Sequence, residues 1–140
     1  MKLLSKVQEI LDKYNLSVEL PEGCKNIYDC EYKTDDKKIM KFLSRFHPPY
    51  TDWHYLKKYE KYIPDGWYGF SIGTPTPKEW FEAIDEILEL MISNDPNFEI
   101  HQIKMKYGAI MFYCNSEVVE DLNDIMMLIM KKMYSKYLIY

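Results

Sequence analysis

The sequence predicts an α+β fold: a small mixed or antiparallel sheet containing a 98–114 hairpin, packed by two C-terminal helices and covered by N-terminal helices. Three observations carry this. Residues 100–114, IHQIKMKYGAIMFYC, read as two short alternating strands that fold back at Tyr107-Gly108. Stretches on either side repeat apolar residues at spacings of three and four, the period of an amphipathic helix. No internal repeat, low-complexity tract or linker divides the 140 residues, so 1–140 reads as a single domain.

In chain order, the first helix places Leu3, Leu4, Val7, Ile10 and Leu11 on one face and ends at Asn15. Its charges alternate with its apolar residues, which a signal peptide would not allow. Residues 18–34 are broken by Pro21 and Gly23 and read as loop, with one strand over 27–32. Residues 35–47 read as a helix with Ile39, Phe42, Leu43 and Phe46 on one face, stopped by Pro48-Pro49. Residues 50–63 form a short helix capped by Thr51 or Asp52, with Trp53, Leu56 and Ile63 inward. PDGWYGFSIGTP, residues 64–75, is a turn followed by a strand over 67–72.

Thr76 is placed to cap the next helix (77–93), with Pro77 at its first position and Glu79 completing a capping box. Trp80, Ile84, Ile87, Leu88 and Met91 form its buried stripe, and Asn94-Asp95-Pro96 ends it. In the hairpin, Ile103, Met105 and Tyr107 alternate with Gln102, Lys104 and Lys106. The return strand alternates Ile110, Phe112 and Cys114 with Ala109, Met111 and Tyr113, apolar on both faces, so it is expected to be the central strand. Ser116 is expected to cap a final helix over 117–135, with Val118, Val119, Leu122, Ile125, Met126, Ile129 and Met133 on its apolar face. Its methionines, Met126, Met127, Met130 and Met133, suit core gaps. The alternative gives a second face (Val119, Met126, Met130) and the tail YSKYLIY to a homodimer interface through this C-terminal helix.

Composition narrows the function classes. Hydrophobic residues make 47% and charged residues 29%, the balance of a soluble globular protein. Net charge is −4 with both signs interleaved, so direct nucleic-acid binding is not expected. No run reaches the length of a membrane span, and the odd set Cys24, Cys30 and Cys114 reads as reduced thiols of a cytoplasmic protein. Cys24 and Cys30 are separated by five residues with no second pair, and His47, His54 and Cys114 are scattered, so neither a metal nor any other cofactor is expected. Cys114 with His101 on the neighbouring strand is a conceivable nucleophile and base, yet no nucleophile-elbow pattern surrounds it. GFSIGTP lacks the lysine of a phosphate-binding loop, and Asp35-Asp36 and Glu82-Asp85-Glu86 lie at helix starts or surfaces. No catalytic residue is assigned, and a non-enzymatic protein is expected.

Asp65-Gly66-Trp67, a helix, the hairpin IHQIKMKYGAIMFY and a further helix resemble a group of small phage and prophage proteins of unknown function. That group carries a GW turn and a helix leading into a hairpin of the form VVQVKEKFGGLRFYV. The match covers residues 65–135, with Gln102, Lys104, Lys106, Tyr107, Gly108, Phe112 and Tyr113 in register. Ala109 stands where a second Gly is common, Met111 where Arg is common, and the stretch between Trp67 and the helix is longer. The resemblance implies a fold and a phage setting and brings no catalytic residues.

Aromatic residues reach 16%, with 13 Tyr and 3 Trp, and they crowd residues 45–70. One reading makes these a satellite core. The other makes them a recognition surface with rigid aromatic anchors, with Tyr50, Trp53, His54, Tyr55, Trp67 and Tyr68 as the partner-binding set. With the phage resemblance, the expected function is binding and inhibition of a bacterial host protein, such as a defence component, in the manner of an anti-CRISPR inhibitor. A toxin-neutralising immunity protein is one alternative. A sponge for a nucleotide signal, holding it with aromatic rings and cations such as Arg45 and Lys57, is another.

Overall fold

A computed structural model describes residues 1–33, 35–46, 52–72 and 75–138, for residues 52–54 the backbone alone. Six α-helices and a three-stranded mixed sheet lie among the described residues.

α1 (Leu4–Lys13) buries Val7, Ile10 and Leu11, with Leu3 just ahead of it. It has no local side-chain cap. Instead the N–H groups of Leu3 and Leu4 donate to the Asp121 carboxylate at 2.9 and 2.8 Å, so an acid from the far end of the sequence serves the helix start.

The strand expected over 27–32 is a helix, α2 (Ile27–Glu31). Asn26 Oδ1 accepts from the Asp29 N–H at 2.7 Å, and Asp29 Oδ2 accepts from the Lys25 N–H at 2.9 Å. This reciprocal cap outweighs the strand preference of Ile27 and Tyr28. α2 packs on α3 (Lys37–Ser44), which Asp36 caps through the Lys38 N–H at 2.8 Å and which buries Ile39, Phe42 and Leu43. Just beyond it, the Arg45 guanidinium donates to the carbonyls of Asn15 and Ser17 at 3.1 and 3.0 Å and faces the Glu79 carboxylate at 3.6 Å.

α4 (Asp52–Lys58) runs into a 3-10 turn (Glu60–Tyr62). Among the described side chains Tyr55, and Tyr59 just past the helix, point inward, with Leu56 and Ile63 only half-buried. Tyr59 can occupy the core because its hydroxyl bonds the Asp85 carboxylate and the Asp85 carbonyl. Burial, and then that carboxylate, hold the phenol far above its usual range.

β1 (Gly69–Ser71), α5 (Lys78–Asn94) and β2 (Glu99–Lys106) make a parallel crossover, and β3 (Ala109–Asn115) returns antiparallel to β2. The order is β1-β2-β3, so the first hairpin strand is central and the expectation for the second is corrected. The second face of β3 is apolar for another reason: Met111 leans into a groove with Met126, Met127 and Met130 of α6 (Leu122–Lys132). The start of β3 is closed by the chain after α6, where Ile110 N–H donates to the Met133 carbonyl and Ser135 N–H to the Gly108 carbonyl. The hairpin turn puts Tyr107 and Gly108 at φ 52° and 81°, the paired left-handed residues of a two-residue hairpin loop.

Two further caps differ from expectation. Pro77 takes the N-cap position of α5 without a side-chain cap bond, and Glu79 turns to Arg45 and completes no capping box. Ser116 Oγ accepts from the N–H groups of Val118 and Val119, holding a turn, and α6 begins at Leu122, not at 117. The α5 stripe is as expected and fully buried, widened by Phe81 and Ala83. Across the buried face of the sheet, Phe70, Ile103 and Phe112 lie in register.

Gly69 joins α4 to the sheet at φ +67°, and an added Cβ would lie 2.5 Å from Ile63 Cδ1 and 2.8 Å from Leu56 Cδ1. Gly69→Ala is expected to lower stability by about 1–2 kcal/mol from the left-handed conformation, since the crowding falls on the movable ends of two half-buried side chains. Urea unfolding of the variant checks this, and a loss under about 0.5 kcal/mol would refute it.

Candidate functional site

The segment between the 3-10 turn and β1 builds the exposed aromatic feature. Trp67 N–H donates to the Pro64 carbonyl at 3.1 Å, and Gly66 at φ +89° lets the chain turn so tightly. The turn projects Trp67 sideways, where its indole lies on the imidazole of His101 at 4.2 Å and 3° between planes.

His101 reaches that position because β2 bulges there: Ile100 pairs with Cys114 and Gln102 with Tyr113, leaving His101 without an opposite number. The bulge also lets Ile100 and Ile103 both face the core despite their odd spacing. Glu99 Oε1 accepts from the imidazole Nε2–H at 3.0 Å, and the His101 carbonyl accepts from the Tyr68 N–H at 3.2 Å. One face of the indole is therefore fixed by a ring that a carboxylate orients. Trp67 remains 49% exposed and Tyr68 70%.

Beside Trp67 opens a hollow of about 680 Å³, walled by Leu56, Ile63 and Pro64 with Lys57, Glu60, Asp65 and Tyr68 around it. Across Pro64 a second hollow of about 570 Å³ holds Lys61, Tyr62, Asn97 and Glu99. An apolar floor, a rigid indole and a rim carrying both charge signs suit a protein surface. In the first hollow an anionic nucleotide would meet Glu60 and Asp65.

Of the residues expected to bind a partner, Trp67 and Tyr68 stand together on this ledge. Tyr55 is corrected: it is 1% exposed, stacked on Phe81 at 5.5 Å and against Phe70 at 5.6 Å, inside the main core. The aromatic segment is thus split, with Tyr55, Tyr59 and Phe70 in the main core and no satellite core formed among the described residues, and with Trp67 and Tyr68 exposed. Trp53 and His54 lie in α4, but their side chains, like the whole of Tyr50, fall outside the described residues. Of the cations expected for a nucleotide sponge, Lys57 lines the first hollow, whereas Arg45 is committed to Asn15, Ser17 and Glu79 elsewhere.

His101 and Glu99 were not assigned to this site from sequence. The legible signal was Glu-x-His on one strand, at the spacing that puts two side chains on one face. Pairing His101 with Cys114 as base and nucleophile is not supported by the geometry. No hydrogen bond joins the two side chains among the described residues, and burial holds the Cys114 thiol well above its ordinary range. Cys30 is pushed up to about 12 by burial and by the neighbouring Cys24 thiol. Among the described residues no three His, Cys, Asp or Glu side chains converge as metal ligands, and no helix is long and apolar enough to cross a membrane.

No protein-family model, curated protein or solved structure matches the chain.

Proposed function

We propose that this chain is a non-enzymatic, phage- or prophage-type accessory protein that binds and inhibits a bacterial host protein, a defence component being the favoured class. The observation that carries the reading is the Trp67 ledge. A large side chain held rigid on one face and half exposed on the other loses little entropy on binding, which is the property of an interface anchor. The hairpin resemblance supplies the phage setting, and the mixed-sign rim favours a protein over a nucleotide as the occupant.

The test is affinity capture from bacterial lysate with the parent chain and the Trp67→Ala/Tyr68→Ala variant in parallel, then titration of the captured protein. Removing the anchors is expected to weaken binding by about 2 kcal/mol or more, roughly thirtyfold. The variant should stay folded, since only a ring stack worth about 0.5–1.5 kcal/mol is lost. Equal capture by a folded variant would refute the ledge as the binding surface. A secreted toxin as the captured protein would replace the host-inhibitor reading with the immunity reading.

A further inference from the structure

The outward face of α6 exposes methionines between an acid near its start and lysines at its end. Asn123, Asp124, Met127, Met130 and Lys131 follow one another at spacings of one and three residues that mirror about Met127. All five are exposed, Met127 by 64% and Met130 by 37%. The acid falls in the first turn of the helix, and Lys131 and Lys132 in the last. Beside this row a groove of about 500 Å³ runs along β3, lined by Met111, Tyr113, Met126 and Met130. Val119, expected on this face, is instead 3% exposed and belongs to the core.

We propose that this face is the interface between two copies of the chain, with their α6 helices antiparallel across a two-fold axis at Met127. In that arrangement Met127 meets its own copy, and Asp124 of each chain lies beside Lys131 of the other. The groove along β3 takes up the methionine side chains, whose unbranched, polarisable stems adapt to such a surface. The argument for a second copy over an unrelated partner is charge. An isologous interface requires that a residue and its counterpart exchange roles, and a helix acidic at one end and basic at the other satisfies this only when reversed on itself. A uniformly acidic or basic partner would face like charge at one end. This inference does not depend on the Trp67 ledge.

Sedimentation equilibrium of the full chain tests it. The mass is expected to rise with concentration from 16.9 kDa toward twice that value. Met127→Glu and Asp124→Lys should each raise the dissociation constant by about tenfold or more. The double reversal Asp124→Lys/Lys131→Glu should recover most of the loss, because the reversed charges meet again across the axis. Melting curves accompany each variant. Should Met127→Glu prove less stable, the charge variants alone decide. A mass of 16.9 kDa at every concentration overturns the proposal. So does a dimer indifferent to both single changes, or one that the double reversal leaves as weak as Asp124→Lys.

Discussion

Trp80→Ala is expected to lower the free energy of unfolding by about 3–5 kcal/mol, the range for deleting a large aromatic from a closed core. Trp80 is fully buried in the first turn of α5, and its indole Nε1–H donates to the Leu16 carbonyl at 2.9 Å. It therefore does two things. It fills space between α5 and the segment after α1, and it satisfies a carbonyl that the chain buries as it leaves that helix. Alanine removes both. Trp80→Phe keeps most of the volume and strands the carbonyl, so it should cost less, about 1–3 kcal/mol. For a chain of this size either loss is a sizeable part of the total. Urea unfolding of the three proteins separates the two contributions, and a Trp80→Ala midpoint within error of the parent would sink the assignment.

Asp121→Ala carries the second large effect and a pH signature. The carboxylate is 8% exposed and accepts from the N–H groups of Leu3 and Leu4. Its loss strands buried donors, at about 1–3 kcal/mol. It also removes an anion from the positive end of α1, at about 0.3–1 kcal/mol more. Burial by itself would raise the carboxyl, but the Leu3 and Leu4 N–H groups overcome it and hold the group below its ordinary 3.8. A depressed folded value means that the carboxylate stabilises in full above the unfolded value and ceases to do so as pH falls through the folded one. The stability gap between parent and Asp121→Ala should thus be constant from about pH 7 to 5 and close below about pH 4. A gap that persists unchanged to about pH 2.5 would mean that Asp121 acts through packing alone.

Both predictions concern contacts between residues far apart in sequence, and this marks where sequence reading stopped. The α5 stripe was legible because Trp80, Ile84, Ile87, Leu88 and Met91 repeat with the helical period along a 17-residue helix. α2 was not. Its five residues are too few for a period, and its stability comes from the Asn26–Asp29 cap. The hairpin was legible in its turn and alternation, while the bulge at His101 shows in the sequence only as the odd spacing between Ile100 and Ile103. Half of the candidate site was read for the same reason. Trp67 and Tyr68 stand out as aromatics in a glycine-rich turn, but His101 joins them only when β1 pairs with β2 and brings residue 68 beside residue 101.

The sequence by itself determined the α+β class, the buried faces of α1, α3 and α5 and the tight turn at Tyr107-Gly108, because each follows from residues within a few positions of one another. Tertiary structure alone decided which strand is central, which tyrosines are core and which aromatics face outward. Strand order depends on β1 adding to β2 across the α5 crossover, and burial of Tyr59 depends on an Asp85 partner 26 residues away. A period encodes which way a side chain points within its own element. What it meets there is set by the packing of elements whose separation in sequence no local pattern records.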